Sequence, residues 1–263
     1  MSNQATIFLI LLFCISVGCA TATSHLKLPS EQVINRGQLV IHTDFHLPEK
    51  HRLVDELLLQ RNSMNRVLQI SESKVPIHIY LFKNEDQYHQ YMVAKNPLFP
   101  NRRAFFVKDK GELKVFAFWG SKVGEDVRHE VTHGYLHSVL TVVPIWLDEG
   151  IAEFFEVGLG KGGFNAPHAV HLNRLWKNRM WRPDLKKLET LRVAKEMGQT
   201  EYAESWLWIH FLITNGFESQ QLLRNYLDQM DGVHSPGSFA EMLQDFYPDP
   251  NRLLVEHLEL ILQ

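Results

Sequence analysis

Cysteine is nearly absent from this sequence. Only two of its 263 residues are cysteines, and both, Cys14 and Cys19, lie close to the N-terminus. The rest of the chain therefore contains no thiol that could form a disulfide or bind a metal ion. A metal site there would have to use histidine and carboxylate side chains, a donor set more typical of catalytic than of structural zinc.

A strong charge of one sign is also lacking. The chain carries 27 Lys and Arg residues against 30 Asp and Glu residues, a formal net charge of -3, and it contains no basic run interleaved with aromatic residues. A nucleic-acid partner is therefore not expected. Internal repeats and low-complexity segments are absent too. With 45% hydrophobic residues, we expect a single domain with a sizeable core.

The N-terminus holds an apolar run that is too short to span a bilayer comfortably. It extends from Ile7 to Val17 and is followed by small residues up to Ala22. This pattern predicts an export signal in residues 1–22 and a mature domain in residues 23–263. We therefore expect an exported protein, located in the periplasm, in the cell envelope or outside the cell.

Three fates of this N-terminal segment are open. A cut after Ala22 would release a soluble protein, whereas an uncut segment would serve as a membrane anchor. The run Ser16–Cys19 also resembles a bacterial lipobox. In that case cleavage would occur before Cys19, and the acylated cysteine would attach the protein to a membrane.

Hydrophobic periodicity predicts an α+β fold of two lobes. Residues 25–120 show the order β-α-β-α-β-β, a mixed sheet with helices, and an Asp/Gly turn joins the last two strands. Residues 121–263 are helical and begin with a helix from Glu125 to about Leu140. Pro144 ends this helix, and a second helix is predicted from Ile145 to Val157.

The segment His-Glu-Val-Thr-His at residues 129–133 is the most informative motif. Two histidines four apart on a helix lie within about 40° around the axis and about 6 Å apart along it. Both imidazoles can therefore bind one metal ion. Glu130 can reach a zinc-bound water and take its proton. The motif predicts a zinc hydrolase, most often a peptidase.

A third ligand is expected from the helix after Pro144. That helix presents Glu149 and, one turn later on the same face, Glu153. Glu149 is the preferred third ligand and Glu153 is the alternative. His137 continues the even spacing of the two histidines, but on a continuous helix it lies about 12 Å along the axis from His129, too far to share one ion.

The segments HEVTHGYLH and WLDEGIAEFFE resemble the gluzincin metallopeptidases. They are still more similar to poorly characterised exported bacterial zincins of the peptidase-MA-like kind. The resemblance covers residues 127–156 and implies a zincin-like fold with the metal helix between the two lobes. It further implies that His129, His133 and Glu149 bind one zinc ion and that Glu130 is the general base.

The same resemblance implies roles for residues around the metal. Glu153 would orient a ligand histidine. Gluzincins use a tyrosine or histidine of a later helix to stabilise the oxyanion of the tetrahedral intermediate, and Tyr202 and His210 are the candidates here. Tyr202 could instead be an ordinary packing residue.

The order of elements along the chain suggests a substrate-binding strand. The strand Val115–Trp119, just before the metal helix, could pair with an extended substrate as an edge strand.

We therefore expect an exported zinc-dependent metallopeptidase that acts on peptide or protein substrates. The Gly-x-Met-Glu-Asn motif with which related aminopeptidases bind a free amino terminus is absent from the sequence, so an endopeptidase is favoured over an aminopeptidase. The alternative is a non-catalytic, zinc-containing scaffold or binding protein of the cell envelope. Glu130 discriminates the two, because a structural metal site has no use for a base.

Overall fold

The computed structural model describes residues 26–95, 97–98, 101–231 and 237–263. The export signal predicted in residues 1–22, including Cys19, lies outside the described residues and stays a prediction. Within the described ranges, no helix combines the length and the hydropathy that a bilayer crossing requires.

Five strands form one mixed sheet in the first lobe. They are β1 Gln32–Arg36, β2 Leu39–Thr43, β3 Ile77–Phe82, β4 Ala104–Asp109 and β5 Glu112–Phe118. Their order across the sheet is β1-β2-β3-β5-β4. The three central strands are parallel, and each edge strand is antiparallel to its neighbour.

Ten α-helices complete the described part of the chain. They are α1 Arg52–Leu68, α2 Glu85–Lys95, α3 Val123–His137, α4 Ile145–Glu156, α5 Ala166–Lys177, α6 Leu185–Thr190, α7 Gln199–Thr214, α8 Phe217–Asp228, α9 Phe239–Phe246 and α10 Pro250–Leu260. All but the first two belong to the second lobe. The predicted α+β fold is therefore confirmed.

Strand alternation gives the sheet two different faces. Ile41, Ile79 and Val115 lie side by side on one face and are almost fully buried beneath α3 and α1. On the other face Tyr80 and Phe116 stack across β3 and β5 and contact α2. A continuous cluster of buried apolar residues joins the first face to the helices of the second lobe.

The hairpin between β4 and β5 is confirmed, because Lys110 and Gly111 occupy its turn with φ of 48° and 85°. The proposed edge strand at residues 115–119 is wrong. Its strand, β5, is hydrogen-bonded on one side to β3 and on the other to β4. Sequence order alone could not show that β4 folds back to the outside. Among the described strands, the outer strand beside α3 is β4.

Two elements were not predicted from the sequence. β1 was missed because it is an edge strand in which only Ile34 is buried, so the alternation of apolar residues is weak. The helix α6 has six residues, fewer than two turns, and is too short to show a helical period.

Helices α3, α4 and α7 pack closely enough to fix the position of the site. Gly134 lets α3 approach the sheet, since a Cβ atom there would lie 3.0 Å from Ile77 Cγ2. Gly150 lets α4 approach α7, since a Cβ atom there would lie 2.6 Å from the Ser205 carbonyl oxygen. The backbone of α4 is thereby held directly against that of α7.

Candidate metal centre

Three donor atoms converge at the junction of α3 and α4. His129 Nε2 lies 3.3 Å from His133 Nε2, and Glu149 Oε2 lies 3.4 Å and 3.7 Å from these two nitrogens. Zinc bonds of about 2.1 Å in tetrahedral geometry place neighbouring donor atoms about 3.4 Å apart. The three residues therefore fit one zinc ion and leave one coordination position free.

The local sequence explains how these donors meet. His129 and His133 are one turn apart on α3, so both rings leave the same face. Pro144 stands at the start of α4 and lets the chain reverse, which brings Glu149 back beneath the two rings. Glu149 Oε2 is buried and makes no hydrogen bond with any described residue. A cation would satisfy this otherwise unpaired oxygen.

The other nitrogen of each ring is held by a carboxylate. His129 Nδ1 lies 3.0 Å from Glu156 Oε2, and His133 Nδ1 lies 2.9 Å from Asp148 Oδ1. In each contact the Nδ1–H of the ring donates to the carboxylate, which fixes the orientation of the ring. The Nε2 lone pair is then available for a metal ion. The Asp148 carboxylate also contacts His137 Nε2, at 2.8 Å.

Asp148 and Glu156 were not identified from the sequence as partners of the ligand histidines. Both lie inside the segment WLDEGIAEFFE, and their spacing from Glu149 could have identified them. Asp148 directly precedes Glu149, and Glu156 follows it by seven residues, which places it two turns further along the same face of α4. The expectation that one carboxylate would orient a ligand histidine was attached only to Glu153.

The carboxylate of Glu153 contacts a different histidine. Its Oε2 atom lies 2.7 Å from His168 Nε2 and accepts a hydrogen bond from Asn165 Nδ2 at 3.3 Å. Asn165 also donates to Glu156, at 2.9 Å. Glu153 thus lies beside the partner of His129, and its role in orienting that ring stays a prediction.

Two further groups could hold a metal ion by proximity alone. They are His133 with His137 and Asp148, and His129 with Glu153 and Glu156. In both groups a ring nitrogen and a carboxylate oxygen already hydrogen-bond to each other. The group that contains Glu149 differs because its carboxylate oxygen has no such partner. It is therefore the strongest of the three candidates.

The electrostatics of the centre favour a cation. Burial favours the neutral form of both ligand rings, yet the carboxylates beside them outweigh it. Glu149 and Glu156 raise the pKa of His129 well above its usual value, and Asp148 raises the pKa of His133 to about 9. An arrangement that attracts protons so strongly would also attract a divalent ion, which displaces them.

Glu130 is buried next to His129 on α3, and the charges of both ligand rings act on its carboxyl group. Burial raises the pKa of its carboxyl group above the usual range, although the charges of His129 and His133 act against this. A carboxyl group of raised pKa can accept a proton in one step of a reaction and donate it in the next.

Of the comparisons with known proteins, the one with solved structures found a similarity. No family model and no curated protein matches the chain. Among solved structures it is similar to the crystal structure of M1 zinc metallopeptidase from Deinococcus radiodurans, with 16% sequence identity and a TM-score of 0.45. The alignment covers 89% of this chain and 51% of that protein, so the chain spans about half its length.

The two candidates for oxyanion stabilisation occupy different surroundings. Tyr202 lies at the start of α7, the helix that packs against α4, and burial together with the charge of Glu149 raises the pKa of its hydroxyl. His210 lies two turns further on. Its Nδ1 atom is 2.8 Å from His257 Nε2, and its ring packs against Trp206. The contacts described for His210 include none of the three candidate ligands.

Two other residues act on groups of the centre and were missed from the sequence. Phe106, on edge strand β4, stacks its ring on His133 and on His137 at centroid distances of 5.9 Å and 5.6 Å. Arg102, just before β4, is half-buried, and its charge acts against the effect of burial on the pKa of Glu130 and of Tyr202. Neither belongs to a motif, so only the fold could reveal them.

Proposed function

We propose that this chain is an exported, zinc-dependent metallopeptidase of the gluzincin type that hydrolyses internal peptide bonds. One observation carries the proposal. The triangle formed by His129, His133 and Glu149 has the dimensions of one face of a zinc tetrahedron, and an unpaired carboxylate oxygen lies at one corner. Glu130 lies beside this triangle, where a hydrolase needs a base.

Zinc bound at this centre would supply a Lewis acid, which polarises a carbonyl group and makes water acidic. Glu130 would accept the proton of the attacking water and pass it to the leaving amine. The hydroxyl of Tyr202 would donate a hydrogen bond to the developing oxyanion. Glu156 and Asp148 would hold the two imidazoles in place throughout.

An extended substrate would lie along β4. This strand is the outer strand of the described sheet on the side of α3, and its residue Phe106 contacts His133. Backbone groups on a free edge can pair with a peptide of any sequence. A substrate paired along a strand edge extends on both sides of the scissile bond. Together with the missing amino-terminus motif, it supports an endopeptidase rather than an aminopeptidase.

Export would proceed through residues 1–22, with either release of the protein or attachment through acylated Cys19. The mass of the mature N-terminus, measured on protein from a bacterial membrane fraction, tests this part of the proposal. A lipidated cysteine would support the anchor, and a chain beginning after Ala22 would support release. A mature chain that retains Met1 would contradict both.

The peptidase proposal is tested with Glu130→Gln. We expect the variant to bind one equivalent of zinc like the wild type and to lose about 100-fold or more in the rate of hydrolysis of an unfolded protein, because the base is gone. The matched control is Glu125→Gln, on the same helix but engaged with Lys122 and Arg103 at the surface. It should keep full activity.

Two outcomes would contradict the proposal. Undiminished hydrolysis by the Glu130→Gln variant would remove the base from the mechanism. Zinc-loaded wild-type protein that cleaves nothing in a broad peptide library would instead favour a non-catalytic protein of the cell envelope that keeps zinc for stability.

A further inference from the structure

Asn165 stands at the start of α5, but its side chain does not cap that helix. It precedes the first helical residue, a position where an asparagine side chain usually accepts a hydrogen bond from the exposed backbone N–H groups. Among the described residues, the side chain makes no such bond. It is buried and donates to α4 instead. The side chain of Asn165 is therefore held by partners outside its own helix.

These partners are two carboxylates of α4. Asn165 Nδ2 donates to Glu156 Oε1 at 2.9 Å and to Glu153 Oε2 at 3.3 Å. An amide group has two N–H bonds, and each of them meets one carboxylate here. Glu153 and Glu156 lie one turn apart on α4, so that two negative charges would repel each other at this spacing. Asn165 supplies a shared donor between them without adding a charge.

The contact with Glu156 fixes the carboxylate that holds a ligand ring. One oxygen of Glu156, Oε1, accepts from Asn165, and the other, Oε2, lies 3.0 Å from His129 Nδ1. A carboxylate held at both oxygens cannot rotate about its last bond without breaking one of the two contacts. Asn165 is thus linked to the His129 ring through two successive hydrogen bonds.

The glycine-rich connection between α4 and α5 brings Asn165 to this position. The last glycine of residues 158–163 is Gly163, which has a φ of 79°. Its carbonyl oxygen accepts a hydrogen bond from the indole N–H of Trp206, on α7, at 2.9 Å. A Cβ atom at Gly163 would overlap the ring of Phe154, so the chain passes directly over α4. The connection is therefore anchored two residues before Asn165.

We infer that Asn165 is a positioning residue of the metal centre: by fixing Glu156, it holds the His129 ring in the orientation that binds zinc. The inference rests on the proposed function and extends it to a residue outside the two motifs that predict the site. It also gives the glycine-rich connection a task, which is to carry an amide group to the carboxylates behind the ligands.

The inference is tested by the zinc affinity of the full-length protein, measured by competition with a chromogenic chelator. We expect Asn165→Ala to raise the dissociation constant for zinc about 10-fold, and Glu156→Ala to raise it about 10-fold to 100-fold. In the Glu156→Ala background, Asn165→Ala should have little further effect, because the carboxylate that it fixes is already gone. Unchanged affinity in Asn165→Ala, or additive effects of the two changes, would overturn the inference.

A spectroscopic measurement follows the His129 ring itself. NMR of protein with ¹⁵N-labelled histidine detects an Nδ1–H proton that a hydrogen bond protects from exchange with water. We expect this resonance in the zinc-loaded wild type, and its loss in Glu156→Ala identifies it. In zinc-loaded Asn165→Ala the proton should exchange faster, because the accepting carboxylate is less firmly held. An unchanged exchange rate would overturn the inference.

Two controls on α5 separate positioning from folding stability. Asn178→Ala, at the other end of the helix, removes an exposed hydrogen bond to the Arg174 carbonyl oxygen and should leave the zinc affinity unchanged. Ala169→Gly, inside the helix, should lower the melting temperature, because glycine is a poor helix former, and should also leave the zinc affinity unchanged. Zinc binding that weakens as much in Ala169→Gly as in Asn165→Ala would overturn the inference.

The same measurements distinguish failure of this inference from failure of the proposed function. A wild type that binds one zinc ion and hydrolyses an unfolded protein, together with equal zinc affinity in Asn165→Ala, would overturn the inference alone. A wild type that binds no zinc would contradict the proposed function and the inference with it.

Discussion

At the scale of the residue, the centre is organised in two layers. His129, His133 and Glu149 present donor atoms to one point, and Glu156 and Asp148 fix the two rings from behind. Each ring therefore keeps its orientation whether or not a metal ion is bound. A prearranged set of donors lowers the entropic cost of binding the ion, because no side chain has to be ordered at that moment.

The sequence predicted the first layer and only part of the second. The two histidines follow helical spacing, so their common face was readable from the chain. Which carboxylate faces which ring nitrogen depends on how α4 is rotated against α3, and no periodic pattern encodes that rotation. Phe106 lies on a strand and reaches the site only because β4 runs beside α3.

The assignment of Glu149 is tested against Glu153 with two alanine variants. We expect Glu149→Ala to lose most of its zinc on dialysis, because a direct ligand is removed. Glu153→Ala should keep close to one equivalent, with affinity reduced by at most about 10-fold to 100-fold. Metal-to-protein ratios from elemental analysis provide the measurement. Loss of zinc in Glu153→Ala alone would reverse the assignment.

At the scale of the element, the contact between α4 and α7 supports the site. α4 carries Glu149, and α7 carries Tyr202 at its first turn. Gly150 follows Glu149 directly and leaves no room between the two helix backbones. The positions of ligand and hydroxyl group are therefore coupled through one helix packing. The helix predicted from Ile145 to Val157 matches α4 to within one residue, but no pattern in the sequence could reveal that Gly150 is the point of contact with α7.

Gly150→Ala is expected to destabilise the protein. A methyl group there would lie 2.6 Å from the Ser205 carbonyl oxygen and 2.8 Å from Ile209, so the helices would have to separate. We expect a loss of about 1–3 kcal/mol in the free energy of unfolding, typical of overpacking. Urea titration measures it.

The control for this variant is Gly158→Ala. A methyl group at Gly158 would meet no atom within 4 Å, and its φ lies outside the left-handed region. It should leave the stability unchanged or slightly higher. Equal unfolding midpoints for Gly150→Ala and the wild type would show that α4 and α7 are not in close backbone contact.

At the scale of the whole molecule, the metal centre lies where the sheet lobe meets the helical lobe. α3 covers the sheet, and α4 begins the helical layer packed on α7. Buried around the two ligand rings are the carboxyl groups of Glu130, Asp148, Glu149 and Glu153. Without a cation, the negative charges of these acidic groups must be balanced by protons on histidine. We therefore expect the metal-free centre to lower the stability of the folded chain.

Removal of the metal ion should therefore lower the stability of the whole protein. An ion present at about 1,000 times its dissociation constant stabilises the folded state by about 4 kcal/mol. Treatment with a chelator should lower the melting temperature by several degrees, and added zinc should restore it. Differential scanning calorimetry measures both changes.

Glu149→Ala is the control for this experiment, because its melting temperature should not respond to the chelator. A wild type whose melting temperature is equally insensitive would speak against a bound metal ion of any kind.

The candidate ligands all come from one short stretch of chain, His129 to Glu149, whereas β4, on which the substrate is proposed to lie, precedes that stretch. A small shift of β4 against α3 would therefore leave the three donor atoms in place and move only the strand that holds the substrate. Retention of zinc and turnover of substrate are therefore separable properties of this protein. Homologues could lose or change their chemistry at the cleft and still be isolated with a full complement of metal.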